Sequence, residues 1–252
     1  MPANGRLPIL EAMTSPKAVA RIAGSLYLFG SVCFILAMSV RSSILHGTGT
    51  GSAVDSVRSS AFQFRASLAG DLVAWTCFLL TGMALYVLLH NVDRMVAGAM
   101  MVFVVVEVAV GYVNGLNQFA ALTVATGSAY VRAFGADGSG ALVMLAAQSQ
   151  DNGLVINEMF FGLWLAPLGY LVIRSRQFPK FVGILLIVAA FDWVAQFFAD
   201  LLLPGLPSFV FVIEQIAGAG EFVFVAWLLI FGVRSPAPGA SASSMATSSG
   251  RG

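Results

Sequence analysis

Hydrophobic residues run in long blocks, separated by short polar interruptions. Six blocks, at 22–40, 66–89, 95–124, 153–173, 181–203 and 209–233, reach the roughly 20 residues a helix needs to cross a bilayer core of about 30 Å. They are apolar on every face and do not alternate with period two, so they read as helices and not as barrel strands. The pattern predicts an all-α, polytopic membrane bundle of six transmembrane helices spanning residues 18–234. A polar leader, 1–17, precedes it, and a Ser-, Ala- and Gly-rich tail, 235–252, with no periodicity, reads as disordered. The leader is long and the first block is of full membrane length, which favours a retained span over a cleaved signal.

The interruptions have local causes. His90-Asn91-Val92-Asp93-Arg94 is a polar turn, and Pro179 closes the basic turn that starts at Arg174. Pro204-Gly205-Leu206-Pro207 stops the fifth helix. Two longer connections remain, 41–65 and 126–152. The second is expected to be a Gly-rich loop followed by a short interfacial helix over 140–150.

Composition agrees with a bilayer as solvent: 58% hydrophobic and 10% charged residues, with a mean hydropathy of +0.88, against about 25% charged in soluble domains. A net charge of +1 argues against nucleic acid as a partner. Six spans place nine basic residues on one side, among them Arg94, Arg174, Arg176 and Lys180. Four fall on the other: Arg41, Arg58, Arg65 and Arg132. The richer side should be cytoplasmic, putting both termini inside the cell membrane. The Arg174–Lys180 turn then serves as a topology signal, or holds an anionic headgroup.

Polar residues inside the blocks carry the candidate chemistry. Ionisable groups in lipid normally face the bundle interior. Glu107, Gly111, Asn114 and Gln118 fall on one helical face; so do Asp192, Gln196 and Asp200, and so do Glu214, Gly218 and Glu221. With Asp71 and Glu158, these stripes are expected to line a polar cavity that opens outward and is closed at the cytoplasmic side. Glu107, Asp192 and Glu221 should lie near the midplane. No Lys or Arg is expected that deep, and Arg65 is the nearest ion-pair partner for Asp71 or Glu158. The midplane acids therefore hold protons or a cation, or else act as hydrogen-bonding glue between helices. Asp71-Leu-Val-Ala-Trp75 also echoes Asp192-Trp-Val-Ala-Gln196, a hint of inverted repeats.

Much chemistry is not expected. The two histidines, His46 and His90, lie outside the blocks, as do the two lysines, Lys17 and Lys180. Haem between helices and a retinal Schiff base are thus not expected, and no zinc spacing or Ser–His–Asp set occurs. Cys33 and Cys77 read as buried thiols. No cofactor, metal or enzymatic activity is expected. The expected partners are the lipid bilayer and a small solute, proton or cation; the other reading is a non-transporting sensor or assembly component.

Phe160-Phe161-Gly162-Leu163, Leu168-Gly169-Tyr170-Leu171, then Ser175, Pro179 and Gly183 resemble a bacterial multi-pass membrane family catalogued as domain of unknown function 4386. Arg21-Ile22-Ala23-Gly24-Ser25-Leu26-Tyr27-Leu28, Tyr86-Val87-Leu88-Leu89 and the closing Trp227-Leu228-Leu229-Ile230-Phe231-Gly232-Val233 are similar to it as well. The resemblance implies a membrane bundle and no specific activity. Members of that family often carry an arginine shortly before the acid of the third helix; here residues 103–106 contain none.

Overall fold

The computed structural model describes residues 15–45, 49–203 and 209–233, with side chains of the last segment described from Ala219 onward. Among these, seven helices follow in order: α1 Pro16–Leu45, α2 Thr50–Ser59, α3 Ala61–Leu89, α4 Arg94–Thr126, α5 Ser128–Arg174, α6 Lys180–Leu202 and α7 Phe209–Ile230. Five of them, α1, α3, α4, α5 and α6, are long and apolar enough to cross a membrane. Large apolar side chains point outward all along them, including Phe29, Leu36, Phe62, Val113 and Phe191. An apolar surface of that extent suits lipid and not water.

The six long helices form a ring. Each of α3 through α7 packs on its long neighbour in sequence, α1 packs on α3, and α7 closes against α1. Glycines sit at the seams. A Cβ on Gly24 would meet Leu228 of α7 at 2.9 Å, and one on Gly30 would meet Cys77 of α3 at 2.9 Å. Gly82 abuts Val104, Gly153 abuts the Asn114 amide, and Gly162, Gly169 and Gly183 let α5 and α6 backbones touch. A Cβ on Gly220 of α7 would meet the Leu185 carbonyl at 2.9 Å. Small residues at crossings are how apolar helices gain packing energy where lipid removes any hydrophobic driving force.

The two ends of the ring differ. Toward the α3–α4 and α5–α6 turns the interior is aliphatic: Leu85, Leu89, Met100, Leu168, Leu171, Val172 and Leu186 are all buried. Toward α2 it holds Arg41, Ser67, Asp71, Asn114, Gln118 and Gln150, also buried. The α2 end is covered by a second small core of Ala53, Val54, Val57, Phe64, Ala121, Leu122 and Val143.

Both long connections differ from the expectation. Helix α1 runs past Val40 to Leu45, α2 occupies Thr50–Ser59 within the expected 41–65 loop, and α3 starts at Ala61. Residues 126–152 are helical from Ser128, with one break at Gly135, where φ 73 and ψ 179 select glycine. Gly, Ser and Thr weaken a helix by tenths of a kcal/mol to about 1 kcal/mol each. The apolar faces that α2 and α5 bury against α4 outweigh this. The leader's residues 1–14, the 204–207 turn and the tail lie outside the described residues.

Candidate functional site: a buried acid pair

At the ring's centre all six long helices contribute a side chain to one locus. Glu107 of α4 is 0% exposed, and neither of its carboxylate oxygens has a hydrogen-bond partner among the described residues. Glu221 of α7 is 8% exposed and lies within electrostatic range of Glu107. Tyr27 of α1 donates its hydroxyl to Glu221 Oε2, and Trp193 of α6 donates Nε1 to Glu221 Oε1 at 2.7 Å. Rings wall the locus. Trp164 of α5 stands edge-on to Phe78 of α3 at 5.1 Å and to Tyr27 at 6.1 Å, and Phe161 packs on Phe78 and Trp193. The Trp164 indole nitrogen is buried without an acceptor.

The two acids are therefore unequal. Glu221 accepts two donors, the arrangement that suits a charged carboxylate. Glu107 accepts none. Two neighbouring carboxylates in a low-dielectric interior cannot both stay ionised without a cation, and among the described residues no basic side chain is placed at this locus. The pair can hold one proton or one small cation, and Glu107 is the member free to exchange it.

A polar column leads from this locus toward the α2 end. On α4 it comprises Glu107, Asn114 and Gln118, rising about 17 Å at 1.5 Å per residue. On α5, Gln150, Asn157 and Trp164 share a face at intervals of seven. Asn114 Nδ2 donates to the Gln150 carbonyl at 2.9 Å. Seven residues along both antiparallel helices, Asn157 stands at the level of Glu107. On the α3 side, Gln118 Nε2 donates to Ser67 Oγ at 2.7 Å and to the Phe64 carbonyl at 3.1 Å. Gln118 Oε1, Gln150 Oε1 and both polar side-chain atoms of Asn157 are buried without partners. Unpaired groups of this kind are rare in folded interiors and mark places for water, ions or protons.

Beside the column, Arg41 Nη1 and Asp71 Oδ2 form an ion pair at 2.7 Å, both side chains 6% exposed. This corrects one expectation: the partner of Asp71 is Arg41 and not Arg65, which stands exposed on α3. The reason is the extension of α1: with five more residues of helix, Arg41 falls one turn beyond buried Ala37 and faces Asp71.

The other singled-out residues are less central. Glu158 is half-buried. Asp192 and Gln196 are half-buried and Asp200 is exposed, so the α6 stripe does not converge on Glu107; Trp193, one residue on, is what reaches the locus. The side chain of Glu214 lies outside the described residues. Nor does the centre open at the α2 end: Glu107 is sealed, with α2 packed there on α4 and α5. Tyr27, Trp164 and Trp193 escaped the sequence reading because aromatic residues are unremarkable in apolar runs. The signal available was spacing: Trp164 lies seven residues from Asn157.

Among known families, the one described as Domain of unknown function (DUF4386) matches residues 22–232. No curated protein matches, and no solved structure matches.

Proposed function

We propose that this chain, which belongs to the DUF4386 family, is a membrane protein that exchanges protons or small cations at the Glu107–Glu221 pair. In this reading α7, helical over 22 residues, is the sixth span. The excess of basic residues at the α3–α4 and α5–α6 turns supports both termini in the cytoplasm and the α2 end on the outer side of the cell membrane. The polar column then runs from the outer face to Glu107, and aliphatic packing closes the inner face. Movement of α2, whose small core covers that end of the column, would gate it. Nothing in this reading requires a catalytic role or a cofactor.

The observation that carries the proposal is Glu107 itself, fully buried with two unpartnered oxygens beside a second acid. A structural core would satisfy such a group, because an unmet buried polar atom costs about 1–3 kcal/mol and a charged one more. Infrared difference spectra of the purified protein, taken between mildly acidic and mildly alkaline buffer, test it. A carboxyl carbonyl band should titrate, vanish in Glu107→Gln and persist in Asp192→Asn. Spectra unchanged by Glu107→Gln would remove the acid from the proposal.

A second reading, a sensor or assembly component with a structural polar core, draws on Asn114 and Gln118, whose donors are satisfied across helices. It predicts no titrating carboxyl at the centre.

A further inference from the structure

At the end of the ring opposite α2, an open groove of ≈ 690 Å³ lies between the α3–α4 turn and the α5–α6 turn. Arg174, Arg176 and Lys180 line it with Asn91 and Gln177, and among the described residues no acidic side chain does. None of the three cations belongs to an ion pair of the described residues, which join Arg41 to Asp71 and Arg58 to Asp55. Arg174 leans over the Tyr170 ring at 5.7 Å, which leaves its positive charge unneutralised.

Three further observations converge there. The α6 N-terminus enters the groove without a side-chain cap, because Pro179 holds the cap position and offers no acceptor. Its first backbone N–H groups and dipole favour an anion. Arg176 sits at φ 54, alone among described non-glycine residues in having positive φ. Glycine would adopt that turn without strain, so a cation is held where the backbone alone would select against it. Gln177 Oε1 is buried and unpartnered, an acceptor available to a hydroxyl or ammonium group next to a phosphate.

The groove also borders lipid. Met95, Phe181 and Ile184, at the same end, are exposed apolar side chains. A headgroup in the groove would let its acyl chains lie along α6. We propose that this groove binds the phosphate headgroup of an anionic membrane lipid, its phosphate held by Arg174, Arg176, Lys180 and the α6 N-terminus. The topology signal carried by these residues would also act as a lipid anchor.

The test is native mass spectrometry of the full chain released from vesicles of mixed phosphatidylglycerol and phosphatidylcholine. Phosphatidylglycerol should be retained selectively. Arg176→Ala and Lys180→Ala should each weaken retention about fivefold, the equivalent of about 1 kcal/mol per interfacial cation. Arg132→Ala, an exposed cation at the other end, should leave retention unchanged. Arg176→Gly separates binding from folding: it relieves the positive φ, so the melting temperature should hold while lipid retention falls. Equal retention of both lipids, or retention indifferent to Arg176 and Lys180, would overturn the proposal. So would inorganic phosphate displacing the lipid at comparable concentration, which would make the site one for a soluble anion.

Discussion

Breaking the Arg41–Asp71 pair should have unequal consequences on its two sides. At 2.7 Å, with both side chains 6% exposed, an effective dielectric near 20 gives an attraction of about 6 kcal/mol. Most of that offsets desolvation while the pair is intact. Removing one partner leaves the desolvation uncompensated, at about 3–5 kcal/mol. A stranded carboxylate can escape by taking a proton, whereas a stranded guanidinium cannot release one. Asp71→Leu should therefore destabilise more than Arg41→Met, and the double variant should recover most of the loss. Asp55→Asn is the control. Its pair with Arg58 spans 3.4 Å with side chains 46% and 80% exposed, and such a pair contributes at most about 1 kcal/mol. Unfolding in mixed micelles, followed by circular dichroism for parent, single and double variants, gives the cycle. Additive losses, or a loss for Arg41→Met no larger than for Asp55→Asn, would refute the reasoning and return Arg41 to the surface.

A Cβ on Gly111 would collide with the Trp75 ring, while one on Gly98 would meet nothing within 4 Å. Gly111→Ala should destabilise by about 1–3 kcal/mol through overpacking, and Gly98→Ala should stabilise by up to about 1 kcal/mol; melting temperatures moving in the same direction would show that the α3–α4 seam is not tight. A reporter active only in the cytoplasm should work when fused after Arg234 and stay silent when inserted near Gly138, and the reverse pattern would invert the proposed topology.

The long apolar helices were legible because each is uniformly hydrophobic over membrane length, a signal no soluble helix imitates. Their ends were not. Hydropathy drops at Arg41, yet the buried face continues through Tyr27, Gly30, Ala37 and Arg41 at helical intervals, and that periodicity was the available clue. Glu107 and Glu221 stood out as acids without nearby bases. Asp192 stood out equally, but the structure turns Trp193 inward instead. Adjacent helical residues differ by about 100° in direction, and in a run apolar on all sides only tertiary packing sets the rotation. The small core over α2 was hidden for a related reason. Ala53, Val54, Val57 and Val143 are scattered through segments whose Gly and Ser content reads as loop.

Proton movement into sealed vesicles tests the central claim most directly. With the protein reconstituted and a pH-sensitive dye trapped inside, an external acid pulse should acidify the lumen faster than in protein-free vesicles. Glu107→Gln should abolish the difference without loss of folded protein, and Asp192→Asn should preserve it. Acidification equal in parent and Glu107→Gln vesicles, with both proteins folded, would contradict the assignment of Glu107 as the exchanging acid.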